Sequence, residues 1–388
     1  MAAPARRQEE KVRRLSRKAF IEDYQALPTT ESLIPVIDPT AMSREEFCAA
    51  VARSLETTGL VILRSQHADP VVREEMQLGT ARFFASPTRI KRLTMTRNFQ
   101  GGWTPPYSET PVDQRGYVIK LDADQRPYWE DLEDDAKERV MFGVGWRPAA
   151  TRFPGLMPPT RIMVGHEAWC RTMRLWGKNM LSDTDLILGA LAEHYGLPAK
   201  VFSTKGGAHY VAPTGTKMNK FRVGKVVVRL HSDMGLLTGH EKSIAFFSKS
   251  GKKASCGGLI VWTKNGRKIR VVMPEGCRLF QAGMQLEYVT GGKIVAGMHQ
   301  VVIPPEAQAL IDEAVLNGED VWRITATLFP HYLGDKRITV LKPFRVKGRK
   351  YPTIFAGELD EATLKAIFGA KAKRKGKNGR MRRPIRTW

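Results

Sequence analysis

The chain has 388 residues, 42% of them hydrophobic, and a formal net charge of +23. That length suits one large domain or two ordinary ones with a sizeable core. No apolar run approaches a membrane span, and residues 1–18 are charged and lack the apolar segment of a secretory signal. Four cysteines, Cys48, Cys170, Cys256 and Cys277, stand far apart without the paired spacing of a zinc site. They predict buried free thiols in a reducing compartment and a cytoplasmic protein.

In chain order, residues 1–27 read as a basic, partly helical arm. Ser43 with Glu46 forms a capping-box pattern that opens a helix ending near Gly59. Asp69 and Pro70 open a second helix, with Asp at the N-cap and Pro at the first helical position, and it stops before Pro87. Residues 98–158, rich in Gly, Pro and aromatics, read as loops with short strands, the kind of segment that lines functional sites. A long helix is predicted over about 159–195; Trp169, Met173, Trp176 and Met180 lie at helical spacing and read as core packing. Residues 206–345 are β-rich, with strands expected at 226–230, 257–262, 268–273 and 285–289. Gly291-Gly292 is a hairpin signal, with a strand over 293–296 expected to deliver His299. Residues 305–316 read as a short helix, 321–329 as a strand, and 358–368 as a last helix.

The charge is uneven. Residues 1–18 hold +5 and residues 371–388 hold +9. Such tails stay solvated because like charges repel and few apolar residues are present to pack. Their functional reading is nonspecific attraction to nucleic-acid phosphates. Lys373 to Lys377 would serve as a nuclear address in a eukaryote.

One ordered set of polar residues carries chemistry: His231 and Asp233, then His299, then Arg323 and Thr325. In an extended strand residues i and i+2 face one side, so His231 and Asp233 can enter one cavity, with Gly235 letting the chain turn behind them. Two imidazoles and a carboxylate form the facial triad that leaves open positions on a non-haem Fe(II). Arg323 and Thr325 share a strand face and suit the far carboxylate of a dicarboxylate co-substrate, since a guanidinium pairs with a carboxylate as a planar fork.

With these motifs the chain resembles the isopenicillin N synthase-like branch of the Fe(II)/2-oxoglutarate dioxygenases. The matching segments are LHSDMGLLT at 230–238, GGLIVW at 257–262, MQLEYVTGG at 284–292, HQVV at 299–302 and RITATLF at 323–329. IPVID at 34–38, TGLVIL at 58–63, QRGY at 114–117 and DLE at 131–133 also match. The resemblance implies a mixed α and β fold, a double-stranded β-helix or jelly roll backed by helices, over residues 28–345. It would have a helical part over about 28–200, a jelly-roll part over about 201–345, and residues 346–388 as an extension with a basic tail. It implies that His231, Asp233 and His299 bind Fe(II), that Arg323 and Thr325 hold 2-oxoglutarate, and that O2 oxidises a C–H bond of a small-molecule substrate with release of succinate and CO2. Arg222 matches a family arginine that approaches the substrate or co-substrate. The chain departs from the family in having Thr325 in place of the usual Ser and an added segment between His299 and Arg323. Two alternatives stand beside this reading: an iron oxidase that needs no 2-oxoglutarate, and a nucleic-acid-binding protein built on an oxygenase fold.

Overall fold

In the computed structural model of the protein, the described residues are 15–375 apart from 97–98, 111, 113, 129–133, 146, 159–162, 164, 206, 208 and 349–350. Most of the two basic tails, and the segment at 131–133, lie outside them.

The local signals act where they were read. Glu46 N–H donates to Ser43 Oγ (3.2 Å) and Ser43 N–H to Glu46 Oε2 (2.8 Å), closing the capping box of helix Arg44–Thr58. That helix ends at Gly59, whose φ of 75° is the left-handed conformation glycine adopts without penalty. Asp69 Oδ1 accepts from the Val71 and Val72 amides and opens helix Pro70–Ala85. The long helix runs over Glu167–His194, starting later than its apolar pattern suggests, because Gly165 just before it sits at φ 78°. Trp169, Met173, Trp176 and Met180 are all buried, as core packing requires. At Gly177 a Cβ would lie 2.7 Å from Val211, so the helix presses directly onto the sheet.

Two sheets face each other. In the larger one the strand order is Val36–Ile37, Leu60–Arg64, Cys277–Ala282, Leu237–His240, Val321–Pro330, His209–Lys217, Glu138–Val144, Gly102–Thr104. The smaller one is ordered Lys268–Arg270, Leu259–Trp262, Met298–Val302, Val226–His231. All neighbours are antiparallel except the first pair of the larger sheet. The three helices cover the larger sheet's outer face with one apolar core; its inner face and the smaller sheet enclose a cavity lined from both. This is the jelly roll backed by helices. All four cysteines are buried free thiols.

Several expectations need correction. Residues 285–289 belong to helix Met284–Val289, not to a strand. Its buried positions, Gln285, Leu286 and Val289, follow helical rather than alternating spacing. The glycine pair, at φ 58° and 77°, follows that helix rather than forming a hairpin tip. His299 therefore arrives on Met298–Val302, not on a strand at 293–296. The helical part of the N-terminal arm, Arg17–Ala26, packs onto the body: Phe20 and Tyr24 are buried, and Phe20 meets Tyr128 edge-on with ring centroids 4.8 Å apart. Likewise the last helix, Ala356–Lys375, is longer than expected, and Asp360 on it is buried against His331 Nδ1 (3.2 Å) and the Gln285 amide (3.1 Å).

Candidate metal centre and its cavity

His231 closes its strand, and in the ladder its Cα pairs with that of His299, so sheet register brings the two imidazoles together. Their ring centroids lie 4.1 Å apart. Asp233 sits just past the strand end, in a turn held by Met284 N–H donating to Asp233 O (2.8 Å). Gly235 is needed there for room rather than for an unusual φ: a Cβ would lie 2.3 Å from Pro330 O, and one on Gly283 would lie 2.2 Å from Gly235 O.

Asp233 Oδ1 is 3.7 Å from His231 Nε2, and Asp233 Oδ2 is 3.7 Å from His299 Nε2. One ligand atom from each residue lies within 4.8 Å of the others. Asp233 Oδ2 is buried and has no hydrogen-bond partner, which a bound cation would supply. His231 Nδ1 lies 2.8 Å from Arg229 O, a contact that fixes the tautomer with Nε2 free for a metal. His299 Nδ1 faces the Gln281 side-chain amide (2.9 Å) and Gly297 O (3.5 Å). The metal-binding tautomer needs Nδ1 to donate, to that carbonyl or to the amide oxygen of Gln281, which has no other partner. Burial pushes His299 down to about 4, with His231 adding to the effect, and pushes His231 down in the same direction. Both imidazoles are thus neutral near pH 7. Burial pushes Asp233 up, but the imidazoles beside it outweigh that and bring it to about 2. Neutral imidazoles and an ionised carboxylate are the donor states a divalent iron needs.

The triad opens into a cavity of about 760 Å3. Arg323 and Thr325 lie on its wall, on one face of Val321–Pro330. Arg323 is 6% exposed; its Nε donates to Gly257 O (2.7 Å) and its Nη2 to Ser243 Oγ (3.2 Å). Among the described residues no carboxylate comes within 4.0 Å of it. The added segment between His299 and Arg323 forms helix Ala307–Leu316, and Glu306 just before it lines the cavity without displacing Arg323. Arg222 is exposed in the turn before Val226–His231 and is not among the lining residues.

Sequence reading missed other lining groups. Tyr24 comes from the first helix. His240 is buried, has no partner at Nε2, and is pushed down to about 4 by burial and then by His299. A charged quartet lies beside the triad: Lys137 Nζ contacts Glu109 Oε2 (2.9 Å) and the Asp135 carboxylate, and Arg139 Nη2 contacts Glu109 Oε1 (2.7 Å). Asp135 Oδ1 accepts from Arg229 N–H (3.0 Å), so the quartet braces the same residue whose carbonyl orients His231. No short motif links Glu109 to Arg139 in sequence; the fold brings them together, Glu109 on a loop tied by Asp135 N–H to its carbonyl (3.0 Å) and Arg139 on strand Glu138–Val144.

No protein-family model matches the chain, and no curated protein matches it. Solved structures do. A Caulobacter crescentus protein assigned to the 2OG-Fe(II) oxygenase family is 18% identical, with a TM-score of 0.65, over 86% of this chain and 98% of that one. A full-length Neurospora crassa protein, solved in complex with α-ketoglutarate and thymine, is 22% identical, with a TM-score of 0.61, over 87% and 97%. The Arabidopsis thaliana dioxygenase for auxin oxidation, solved with 2-oxoglutarate, is 16% identical, with a TM-score of 0.58, over 82% and 99%. The chain therefore has the fold of the 2-oxoglutarate/Fe(II) oxygenases. The likeness does not single out the isopenicillin N synthase-like branch.

Proposed function

We propose that the protein is an Fe(II)- and 2-oxoglutarate-dependent oxygenase acting on a small molecule. The convergence of His231, Asp233 and His299 on one point, with a buried carboxylate oxygen left unpartnered, carries this reading. Three protein donors leave positions open for co-substrate and O2. Bound there, iron with O2 and 2-oxoglutarate supplies oxidation of a substrate C–H bond, with succinate and CO2 released. The chain's own residues bind and orient. Arg323 and Thr325 would hold the distal carboxylate of 2-oxoglutarate. A buried guanidinium without a carboxylate partner favours this over an oxidase that needs no dicarboxylate, because an uncompensated buried charge is costly until an anion arrives. The enclosing sheets exclude water from the reacting atoms. The neighbours' thymine and auxin are small molecules, and a cavity of about 760 Å3 suits a substrate of that scale. No helix among the described residues is long and apolar enough to cross a membrane.

The test is anaerobic Fe(II) titration followed by 2-oxoglutarate calorimetry and succinate assay. One Fe(II) per chain is expected, lost in Asp233→Ala while the far-UV spectrum is retained. Wild-type protein that takes up neither metal nor 2-oxoglutarate would sink the reading.

A further inference from the structure

We propose that Arg139 and Glu109, on the cavity wall beside His231, read the substrate, and that the substrate is a small uncharged molecule presenting an adjacent carbonyl and N–H, as an amide, lactam, imide or ureide does. This rests on the oxygenase reading above and specifies what that site accepts.

The charge balance comes first. With all four ionised, Glu109 and Asp135 balance Lys137 and Arg139; burial pushes the Asp135 carboxyl up, and the Lys137 ammonium in contact with it opposes that push. Counted in that ionised form the quartet sums to zero. A substrate bringing net charge against it would bury that charge without a counter-ion, the arrangement buried sites avoid. Arg323 is the contrast: it stands without a carboxylate and calls for an anion. The cavity thus offers one place for a dicarboxylate and another for a neutral polar group.

Unmet hydrogen-bonding capacity comes next. Arg139 Nε is buried and has no hydrogen-bond partner. Glu109 Oε1 meets the Arg139 guanidinium at 2.7 Å yet makes no well-oriented hydrogen bond. A donor and an acceptor with spare capacity therefore stand side by side. Leaving buried polar groups unsatisfied is unfavourable, so a ligand that satisfies both is selected over one that satisfies neither. The carbonyl of an amide edge would accept from Arg139, and its N–H would donate to Glu109.

Both groups are fixed in advance. Arg139 lies in the strand Glu138–Val144, opposite Thr214. Glu109 is held from the other side by Lys137, and its own carbonyl accepts from Asp135 N–H (3.0 Å). A substrate carboxylate on Arg139 would have to displace Glu109 and leave it facing Lys137 alone.

The test uses Fe(II)-loaded protein with 2-oxoglutarate, kept anaerobic, and calorimetry with a panel of uncharged amides, lactams, imides and ureides against shape-matched carboxylates and N-methylated forms. Thymine, 1,3-dimethylthymine and orotate make one such set. At least one uncharged member should bind, with its N-methylated and anionic counterparts weaker by about tenfold or more. Arg139→Leu and Glu109→Gln should each weaken that member by about tenfold to a hundredfold and remove its advantage over the N-methylated form. A brace alone would alter melting temperature without altering that ratio, and the wild-type ligand series stands even if a variant misfolds. A preference for the carboxylates, indifference to N-methylation, or no binding across the uncharged panel would overturn the inference. If wild-type protein fails to bind 2-oxoglutarate, the oxygenase reading falls; if it binds 2-oxoglutarate but ignores the panel, only this inference falls.

Discussion

Arg278 and Arg323 lie two strands apart in the larger sheet, and both are buried, at 1% and 6% exposure. Arg278 is surrounded by fixed partners: Asp183 at 2.7 Å, Glu241 at 3.4 Å, His67 O at 3.1 Å and Ser65 Oγ at 3.3 Å. It ties the long helix to the sheet. Arg323 has two neutral oxygens and no carboxylate within reach among the described residues. A cation saturated by its own protein is scaffold. One left short of an anion, on a cavity wall, has the unmet charge that the proposed co-substrate carboxylate would supply.

The comparison is sharpest when each guanidinium is removed. Arg278→Leu strands two buried carboxylates and should cost about 3–5 kcal/mol of stability in urea unfolding. A smaller loss would mean that Asp183 and Glu241 find other partners or protonate. The Glu109 quartet gives the next effect, read by pH. Burial pushes Glu109 up, but Arg139 and then Lys137 outweigh it and hold it at about 2, below its ordinary 4.5. A depressed carboxylate stabilises the fold above its unfolded pKa, and that stability is lost as pH falls from about 4.5 towards 2. The contribution is on the order of 3 kcal/mol, and Glu109→Gln should flatten the acid limb of a stability–pH curve. Arg323→Leu strands no carboxylate, so stability should change by less than about 1 kcal/mol. The 2-oxoglutarate Kd should rise about tenfold to a hundredfold, because a charged hydrogen-bonding partner is lost. Unaltered 2-oxoglutarate affinity in this variant would show that another cation takes the distal carboxylate. The smallest effect is Thr325→Val, which removes one hydroxyl and should weaken 2-oxoglutarate by a few-fold; calorimetry beside Arg323→Leu ranks the two.

What the sequence made legible was local. The triad could be read because His231 and Asp233 stand two residues apart at the end of a strand, although Asp233 reaches the site from the turn beyond it, and Arg323 with Thr325 because i and i+2 share a strand face. The capping signals at Ser43 and Asp69 were equally local, each satisfied within three residues. Residues 284–292 misled because an apolar run ending in two glycines fits a hairpin as well as a short helix. What settles it is Gly283, whose amide donates to Leu236 O (3.0 Å) in a crossing too tight for a side chain. Arg139 and Glu109 were silent for a different reason: the contacts that join them to Lys137 and Asp135 exist only once a loop and a strand far apart in sequence are folded against each other. Tyr24 was hidden by the basic sequence around it.

The two ends of the described chain close the same cavity, Tyr24 from the first helix and Leu364 and Ile367 from the last. During synthesis, then, the chamber cannot be finished until residue 367 has cleared the ribosome. At about 5–20 residues per second, His299, the last residue of the candidate triad, is made several seconds before the wall that shields it. Until then the three converging side chains would face a half-built, water-filled site, so the low-dielectric surroundings that keep both imidazoles neutral depend on helices at both ends of the described chain.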